Sequence, residues 1–191
     1  MSTHDEPPGT ELVRERLRML AEAADLSVPS LTVDQPRREE RPATIRDIGG
    51  VRTVVVPQSL VTANPSRQLW HLAACLGREI SPEPRRRHRL GAVLLAVLVV
   101  VYLVLLFTVR VPWLWITVLL LYPVGSWTIR WERAAMEAAG RTVLAAAGHP
   151  PVEVARAAFA DEPDPPFLRA LLASEPAPSR RIAAAEAAAR A

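Results

Sequence analysis

Two long apolar stretches in the middle of the chain stand out from the mixed hydrophobic and polar pattern elsewhere. Residues 91–109 contain no ionisable side chain except Tyr102, and residues 111–129 contain none except Tyr122. As a helix, each 19-residue stretch would span roughly 28 Å, close to the ~30 Å hydrocarbon core of a bilayer. Because only Arg110 separates them, the pattern predicts a two-helix transmembrane hairpin rather than a buried soluble one.

Residues 10–84, before the predicted transmembrane hairpin, are expected to form the N-terminal half of a cytoplasmic domain. Residues 1–9 are expected to be disordered. A basic, proline-broken linker at residues 81–89 is expected to lead into the membrane. The predicted elements are an amphipathic helix, a short β segment, a Val-rich strand and a second helix, at residues 11–24, 26–33, 52–56 and 67–79. The fold class is therefore expected to be mainly α with a small β element.

The hairpin with its basic flanks occupies residues 85–133, and residues 131–191 form the C-terminal half of the cytoplasmic domain. This half predicts helices alone, separated by glycine- and proline-rich breaks. The helices are expected at residues 131–147, 152–160 and 167–173, with a last one that Ser179 can cap.

Arginines are distributed unevenly about the two spans, and this predicts their orientation. Four arginines precede the first span and two follow the second, whereas the connecting turn has only Arg110. The positive-inside rule then places both termini in the cytoplasm. The expected membrane-interface anchors are Arg85, Arg86, Arg87, Arg89, Trp113, Trp115, Trp127, Arg130 and Trp131.

Composition narrows the partners and the chemistry. All 23 basic residues are arginine, a bias typical of GC-rich bacteria, so we expect a two-pass protein of the bacterial plasma membrane. The net charge of +3 and a basic cluster without interleaved aromatics predict contact with the lipid bilayer and no nucleic acid. Neither span contains Asp, Glu, His or Lys, which argues against proton or ion transport and makes the hairpin an anchor.

One group of side chains has metal-ligand spacing. His71, Cys75 and Glu79 follow one another at intervals of four residues and share a face of the predicted helix. Histidine and thiolate are competent zinc ligands, but a structural zinc site uses four ligands. An ordinary histidine, a buried free cysteine and a solvated glutamate explain the pattern more simply, so no cofactor is predicted.

Four short segments occur in the order of the predicted elements: residues 52–60, RTVVVPQSL, residues 72–78, LAACLGR, residues 130–135, RWERAA, and residues 175–182, EPAPSRRI. Together with that order they resemble the membrane-bound HtpX-like zinc metallopeptidases, relatives of the CAAX prenyl proteases. Residues 52–60 look like that family's Val-rich strand and the start of its following segment, and residues 72–78 resemble its L-A-H-E-L-G-H, with matches at Leu72, Ala73, Leu76 and Gly77. Residues 130–135, RWERAA, resemble the stretch that supplies the third zinc ligand after a membrane hairpin. Residues 175–182, EPAPSRRI, are similar to the closing H-P-S-x-x-x-R-I segment.

The resemblance implies a transmembrane hairpin inserted in a degenerate zincin-like cytoplasmic domain. Ala74 and Arg78 stand where the two histidine ligands would be, Cys75 replaces the general-base glutamate, and Arg133 replaces the third ligand. Zinc hydrolysis needs a metal-bound water and a carboxylate base. The family's mechanism is therefore not available, which predicts a catalytically inactive relative that binds a membrane or cytoplasmic protein partner.

Two alternatives remain open. The chain could be a hairpin-anchored interaction protein unrelated to peptidases, whose amphipathic N-terminal helix and C-terminal helices dock a partner. It could also be a working zinc enzyme with non-standard ligands that include His71 and Cys75, and only this alternative requires zinc.

Overall fold

The computed structural model describes residues 7–34, 43–108, 114–166, 170 and 175–190, with side chains except at 105–108 and 114–123. Within these ranges the chain is mainly helical with one small three-stranded sheet, which confirms the predicted fold class at this level. The strands are β1 (Ser30–Asp34), β2 (Thr44–Ile48) and β3 (Val51–Pro57). The helices are α1 (Thr10–Ala23), α2 (Gln58–Val61), α3 (Pro65–Ile80), α4 (Glu83–Thr108), α5 (Leu114–Ala146), α6 (Pro151–Phe159) and α7 (Pro178–Arg190).

The sheet has the strand order β1-β3-β2, with β1 parallel and β2 antiparallel to β3. β2 and β3 form a hairpin whose two turn residues, Gly49 and Gly50, have φ of 60° and 80°. Two-residue hairpin turns of this hand require positive φ, which glycine adopts without strain. β2 is missing from the sequence prediction because Arg46 and Asp47 interrupt its short aliphatic pattern.

One hydrophobic core joins the segments on either side of the hairpin. The apolar stripe of α1, with Val13 and Leu17 at 0% exposure, packs in the same cluster as Val54 of β3, Leu72 of α3 and Phe159 of α6. The apolar stripe of α1 therefore packs against the rest of the domain. Burial of such a stripe against other elements is what stabilises an amphipathic helix. The segments before residue 81 and after residue 131, which the sequence predicts as two halves of one domain, share this core.

The predicted basic linker at residues 81–89 is wrong, because α4 already begins at Glu83. Pro84 lies in the first turn of the helix, where a missing backbone N–H breaks no intrahelical hydrogen bond. Only Ser81 and Pro82 separate α3 from α4. The arginines of the basic cluster therefore project from a helix that continues into the apolar stretch.

Among the described residues, one helix is long and apolar enough to cross a membrane. It covers Glu83–Val104, and only 6% of it is buried, unlike the core helix of a soluble protein. Of the second predicted span, residues 111–113 and the side chains of 114–123 lie outside the described part of the chain. The predicted short helix at 167–173 also lies outside it, except for Ala170.

α4 and α5 run antiparallel side by side. A Cβ built at Gly91 would lie 3.1 Å from Thr128 Cβ, and one turn earlier His88 Nδ1 lies 2.8 Å from Glu132 Oε2. Residues earlier in α4 thus contact residues later in α5, as expected for two antiparallel helices.

Candidate functional site

α3 and α5 cross in direct backbone contact. A Cβ built at Gly77 would lie 2.6 Å from the backbone nitrogen of Gly140, and one built at Gly140 would lie 2.6 Å from the backbone nitrogen of Ala74. Real side chains do not tolerate such distances to backbone, so both positions need glycine. This crossing brings the resembling stretches of α3 and α5 together although 55 residues of sequence separate Arg78 from Arg133.

A cavity of about 270 Å³ lies beside the crossing. Its lining includes all four positions matched to peptidase ligands and base: Ala74, Cys75, Arg78 and Arg133. The rest of the lining comes from α3, from β2 and the residue before it, from α4 and α5, and from the C-terminal segment. These residues are His71 of α3, Ala43, Thr44 and Ile45 at the start of β2, His88 of α4, Ile129, Glu132, Met136 and Glu137 of α5, and Glu175 and Arg181.

A chain of alternating charges lines one side of this cavity. Arg181 Nε donates to Glu137 Oε1 at 2.8 Å and Arg181 Nη2 to Glu175 Oε2 at 3.1 Å. Arg133 Nη1 donates to the other oxygen of Glu175 at 3.0 Å. Arg181 is 4% exposed, and its guanidinium lies 4.7 Å from the centre of the Phe159 ring. The segment that precedes α7 and the start of α7 are thereby tied to α5.

Burial and charge shift the two carboxyl groups of this chain in opposite directions. Burial raises the pKa of Glu137, and the positive charge of Arg181 opposes that shift only in part. The Trp70 indole also acts to lower this pKa, although its Nε1 forms no hydrogen bond of standard geometry. Burial alone would raise the pKa of Glu175 too, but Arg181, His71 and Arg133 together lower it.

A second, more exposed group of charges lies at the rim of the cavity. Glu132 is 16% exposed and lies beside basic side chains from two helices. Arg78 Nη2 lies 3.6 Å from Glu132 Oε1, and His88 Nδ1 lies 2.8 Å from Glu132 Oε2. The arginine at the second histidine position thus forms an ion pair across the cavity mouth.

His71 and Cys75 line the same cavity, whereas Glu79 does not share it. Burial lowers the pKa of His71 to about 4, with Arg181 acting in the same direction. Burial raises the pKa of the Cys75 thiol to about 12. The imidazole is therefore neutral and the thiol protonated at neutral pH, so Cys75 offers neither a thiolate ligand nor a general base. Glu79 instead pairs with Arg52 at 3.0 Å and Arg85 at 3.1 Å.

The donor set does not fit the zinc ion that the resembling family uses. Zinc is bound by thiolate, imidazole and carboxylate groups, but the matched positions hold a methyl group, a protonated thiol and two guanidinium groups. In the part of the chain with described side chains, no three His, Cys, Asp or Glu residues are grouped so as to hold a metal ion.

The expected interface anchors that the structure describes with side chains lie at the end of the α4–α5 pair that is nearer α3. Trp127 and Trp131 stack with ring centres 5.7 Å apart, and the Arg87 guanidinium lies 5.1 Å from the Trp131 ring centre. Arg130 Nη1 donates to the carbonyl of Ala170 at 2.7 Å. Arg85, Arg86 and Arg89 are exposed, while Trp113 and the Trp115 side chain lie outside the described residues.

Sequence reasoning missed Glu137 and the part that β2 plays in the lining. Glu137 lies four residues after Arg133, and this i, i+4 spacing on one helix was a signal that both would face the same cavity.

No protein-family model matches the chain, and no curated protein and no solved structure shows significant similarity to it.

Proposed function

We propose that this chain is a membrane-anchored, catalytically inactive relative of an HtpX-like metallopeptidase that acts by binding another protein in its cytoplasmic cleft. The observation that carries the proposal is the common cavity of Ala74, Cys75, Arg78 and Arg133. The resemblance assigned these positions to one zinc site from sequence order alone. Ala74, Cys75 and Arg78 are neighbours on α3, so the support comes from Arg133 of α5, which lines the same cavity as that assignment requires.

The closing segment supports the same proposal. Glu175 and Arg181 come from the stretch that resembles the family's H-P-S-x-x-x-R-I ending, and both line the cavity. Three separate segments of the resemblance therefore converge on one place. Zinc chemistry is not proposed, because the four matched positions hold a methyl group, a protonated thiol and two arginines, and the arginines repel a dication.

The proposed placement is a two-pass arrangement in the bacterial plasma membrane with both termini in the cytoplasm. The exposed apolar surface of α4 and its antiparallel packing against α5 support this arrangement. The stacked Trp127 and Trp131 beside Arg87 are the kind of cluster found at the headgroup level of a bilayer.

An extended segment of a membrane protein is the occupant that the cleft suits best. β2 is an edge strand among the described strands, with β3 on one side, and its residues Thr44 and Ile45 line the cavity. A free strand edge offers unpaired backbone groups to an extended peptide, and neighbouring pockets then select side chains. His88 and Ile129 from the helical pair also line the cavity, so it lies close to the proposed membrane surface.

Site-specific photo-crosslinking in native membranes tests this function. A photoreactive amino acid replaces Arg78 or His88 at the cavity mouth, and the matched control replaces Leu12, an exposed residue of α1. We expect positions 78 and 88 to capture the same integral membrane protein and position 12 to capture none. Capture from position 12 alone would favour an interaction protein unrelated to peptidases, and absence of capture at positions 78 and 88 would contradict a cleft that binds membrane proteins.

A further inference from the structure

In the described part of the chain, four of the five exposed large aliphatic side chains outside α4 and α5 lie at one end of the domain. The five side chains are Leu12, Val28, Ile48, Val51 and Ile80, with exposures between 39% and 56%. All except Leu12 lie where the strands begin or turn and where α3 ends. Single exposed aliphatics are ordinary on a soluble surface, but four on one side of a small domain are not.

The topology explains why these positions share one end. Ile48 and Val51 are opposite each other across the Gly49-Gly50 turn. β1 is parallel to β3 with Ser30 opposite Thr53, so Val28 precedes β1 at the same end. α3 runs back along the sheet after the short α2, and it ends at Ile80.

A chain of ion pairs ties this end to the start of α4. Arg52, next to Val51, has its Nη1 3.0 Å from Glu79 Oε2, and the same oxygen lies 3.1 Å from Arg85 Nη2. Glu79 is in the last turn of α3 and Arg85 is in the first turn of α4. The hairpin turn is therefore level with the beginning of the helix that enters the apolar stretch.

Distances along the helix place this level at the membrane surface. Six residues separate Arg85 from Gly91, the first residue of the apolar stretch, which is about 9 Å of helix. The headgroup layer on each side of a bilayer is roughly 5–8 Å thick. Val51 lies one strand residue beyond Arg52, or about 3.3 Å, at the end of the domain where α3 ends and α4 begins.

We propose that the β2–β3 tip, residues 48–51, inserts its aliphatic pair into the headgroup layer of the bilayer beside the start of α4. The tip suits this partner, because a glycine turn holds Ile48 and Val51 side by side. Arg46 is exposed close to the tip, and Arg52 and Arg85 share the single carboxylate of Glu79, which leaves a net positive charge there. Arginine stems lie along apolar surface while their charged ends meet anionic headgroups. The inference rests on the proposed membrane anchorage through α4.

This second contact orients the cleft. β2 lines the cavity at Thr44 and Ile45 and reaches the tip at Ile48. With the tip and the helical pair both held at the bilayer, the cavity mouth at Arg78 and Glu132 stays close to the membrane surface. A protein segment that leaves the bilayer would then meet the cleft directly.

Depth-dependent fluorescence quenching tests the proposal on the full chain. Val51→Cys is labelled with an environment-sensitive nitrobenzoxadiazole probe, and the protein is placed in nanodiscs of phosphatidylethanolamine and phosphatidylglycerol. The native Cys75 is buried and its thiol pKa is raised to about 12, so the introduced thiol reacts selectively. The matched control is Leu12→Cys, because Leu12 is 56% exposed. Leu12 lies one turn before Arg16, and Arg16 bonds Gln68 in the first turn of α3. Position 12 is therefore near the start of α3, at the opposite end of that helix from Ile80.

We expect the probe at position 51 to emit at shorter wavelength than the probe at position 12 and to be quenched by lipids that carry a nitroxide near the headgroup. Equal emission and no quenching at position 51 would overturn the proposal. A third variant, Val97→Cys on the exposed face of α4, reports the anchorage separately. Quenching at position 97 by deep nitroxides without quenching at position 51 rejects the tip contact alone, whereas no quenching at position 97 rejects the anchorage and the tip contact together.

Discussion

Arg181 and Glu137 form a buried ion pair between the first turn of α7 and the middle of α5, with Arg181 Nε 2.8 Å from Glu137 Oε1. Only 4% and 10% of the two side chains are exposed, so neither charge is solvated by water. Arg181 also bonds Glu175, and this shared partner fixes the C-terminal segment against the cavity. The pair thus shapes the cleft as well as holding the two helices together.

Removal of Arg181 should strongly destabilise the domain. Arg181→Met leaves Glu137 buried without its cationic partner, and breaking a buried pair in this way costs about 3–5 kcal/mol. Chemical denaturation in detergent measures the loss in free energy of unfolding. The neighbouring exposed residue gives the control, since Arg180→Met should change the same quantity by less than about 0.5 kcal/mol.

The double variant Glu137→Met/Arg181→Met separates the pair from the rest of the packing. Because no buried charge is left unpaired at position 137, it should be more stable than Arg181→Met alone. If the double variant is as unstable as the sum of the two single variants, the two side chains do not act as a pair.

A side chain at Gly140 should separate α3 from α5. The Cβ of Gly140→Ala would lie 2.6 Å from the backbone nitrogen of Ala74, and backbone cannot move aside as a flexible side chain can. We expect a loss of about 3 kcal/mol in the free energy of unfolding, the upper end of the usual cost of overpacking. Gly125→Ala in the same helix is the matched control, because its Cβ meets only Leu95 at 4.0 Å and should change stability by less than about 1 kcal/mol. Equal effects of the two substitutions would contradict the close crossing.

His71 should make stability fall as the pH is lowered from about 6.5 to about 4. Its pKa in the folded chain is lowered from 6.5 to about 4, so the unfolded chain binds a proton over this range while the folded chain does not. The full difference corresponds to at most about 3 kcal/mol. Denaturation curves from pH 7 to pH 4 should be less pH-dependent for His71→Asn than for the native chain. Above pH 7 the difference in stability between the two should stay constant, and an unchanged slope below pH 6.5 would exclude an imidazole that stays neutral in the folded chain.

The Cys75 thiol should resist alkylation in the folded chain. It is 1% exposed, and burial raises its pKa to about 12, so almost no reactive thiolate is present at pH 7.5. Mass spectrometry after treatment with iodoacetamide should find the native chain unmodified and the denatured chain modified once. Stoichiometric labelling without denaturant would mean that the α3–α5 crossing opens readily.

Local patterns in the sequence predicted the helices and strands whose buried face is determined by the spacing of their own apolar residues. The stripe of Val13, Leu17 and Leu20 predicted α1 because the spacing of apolar residues alone determines which face of a helix is buried. The Val-rich run at residues 52–56 predicted β3 in the same way. The apolar run after Gly91 predicted the helix that could span a membrane.

Features that depend on contacts distant in sequence were not predictable in this way. β2 owes its conformation to pairing with β3, since its own sequence mixes charged and aliphatic residues. The proline at position 84 indicated a break, yet in the first turn of α4 it disturbs nothing. The Arg181–Glu137 pair joins residues 44 apart, and no local pattern in either helix indicates that the two side chains meet.

The central claim is that the meeting of α3 and α5 corresponds to the zinc site of a metallopeptidase from which the ligands have been lost. Restoring the ligands tests it most directly, through the zinc content of purified Ala74→His/Arg78→His/Arg133→Glu protein measured by inductively coupled plasma mass spectrometry. The matched control carries Gln instead of Glu at position 133, so it keeps the two histidines but lacks the third ligand, which is the only anionic one of the three. Protection of Cys75 from alkylation shows in each sample that the crossing is intact.

The proposed origin of the cleft predicts about one zinc ion per chain in the restored variant, and much less in both the native chain and the control. A restored variant that keeps Cys75 protected yet holds no more zinc than the native chain would contradict it.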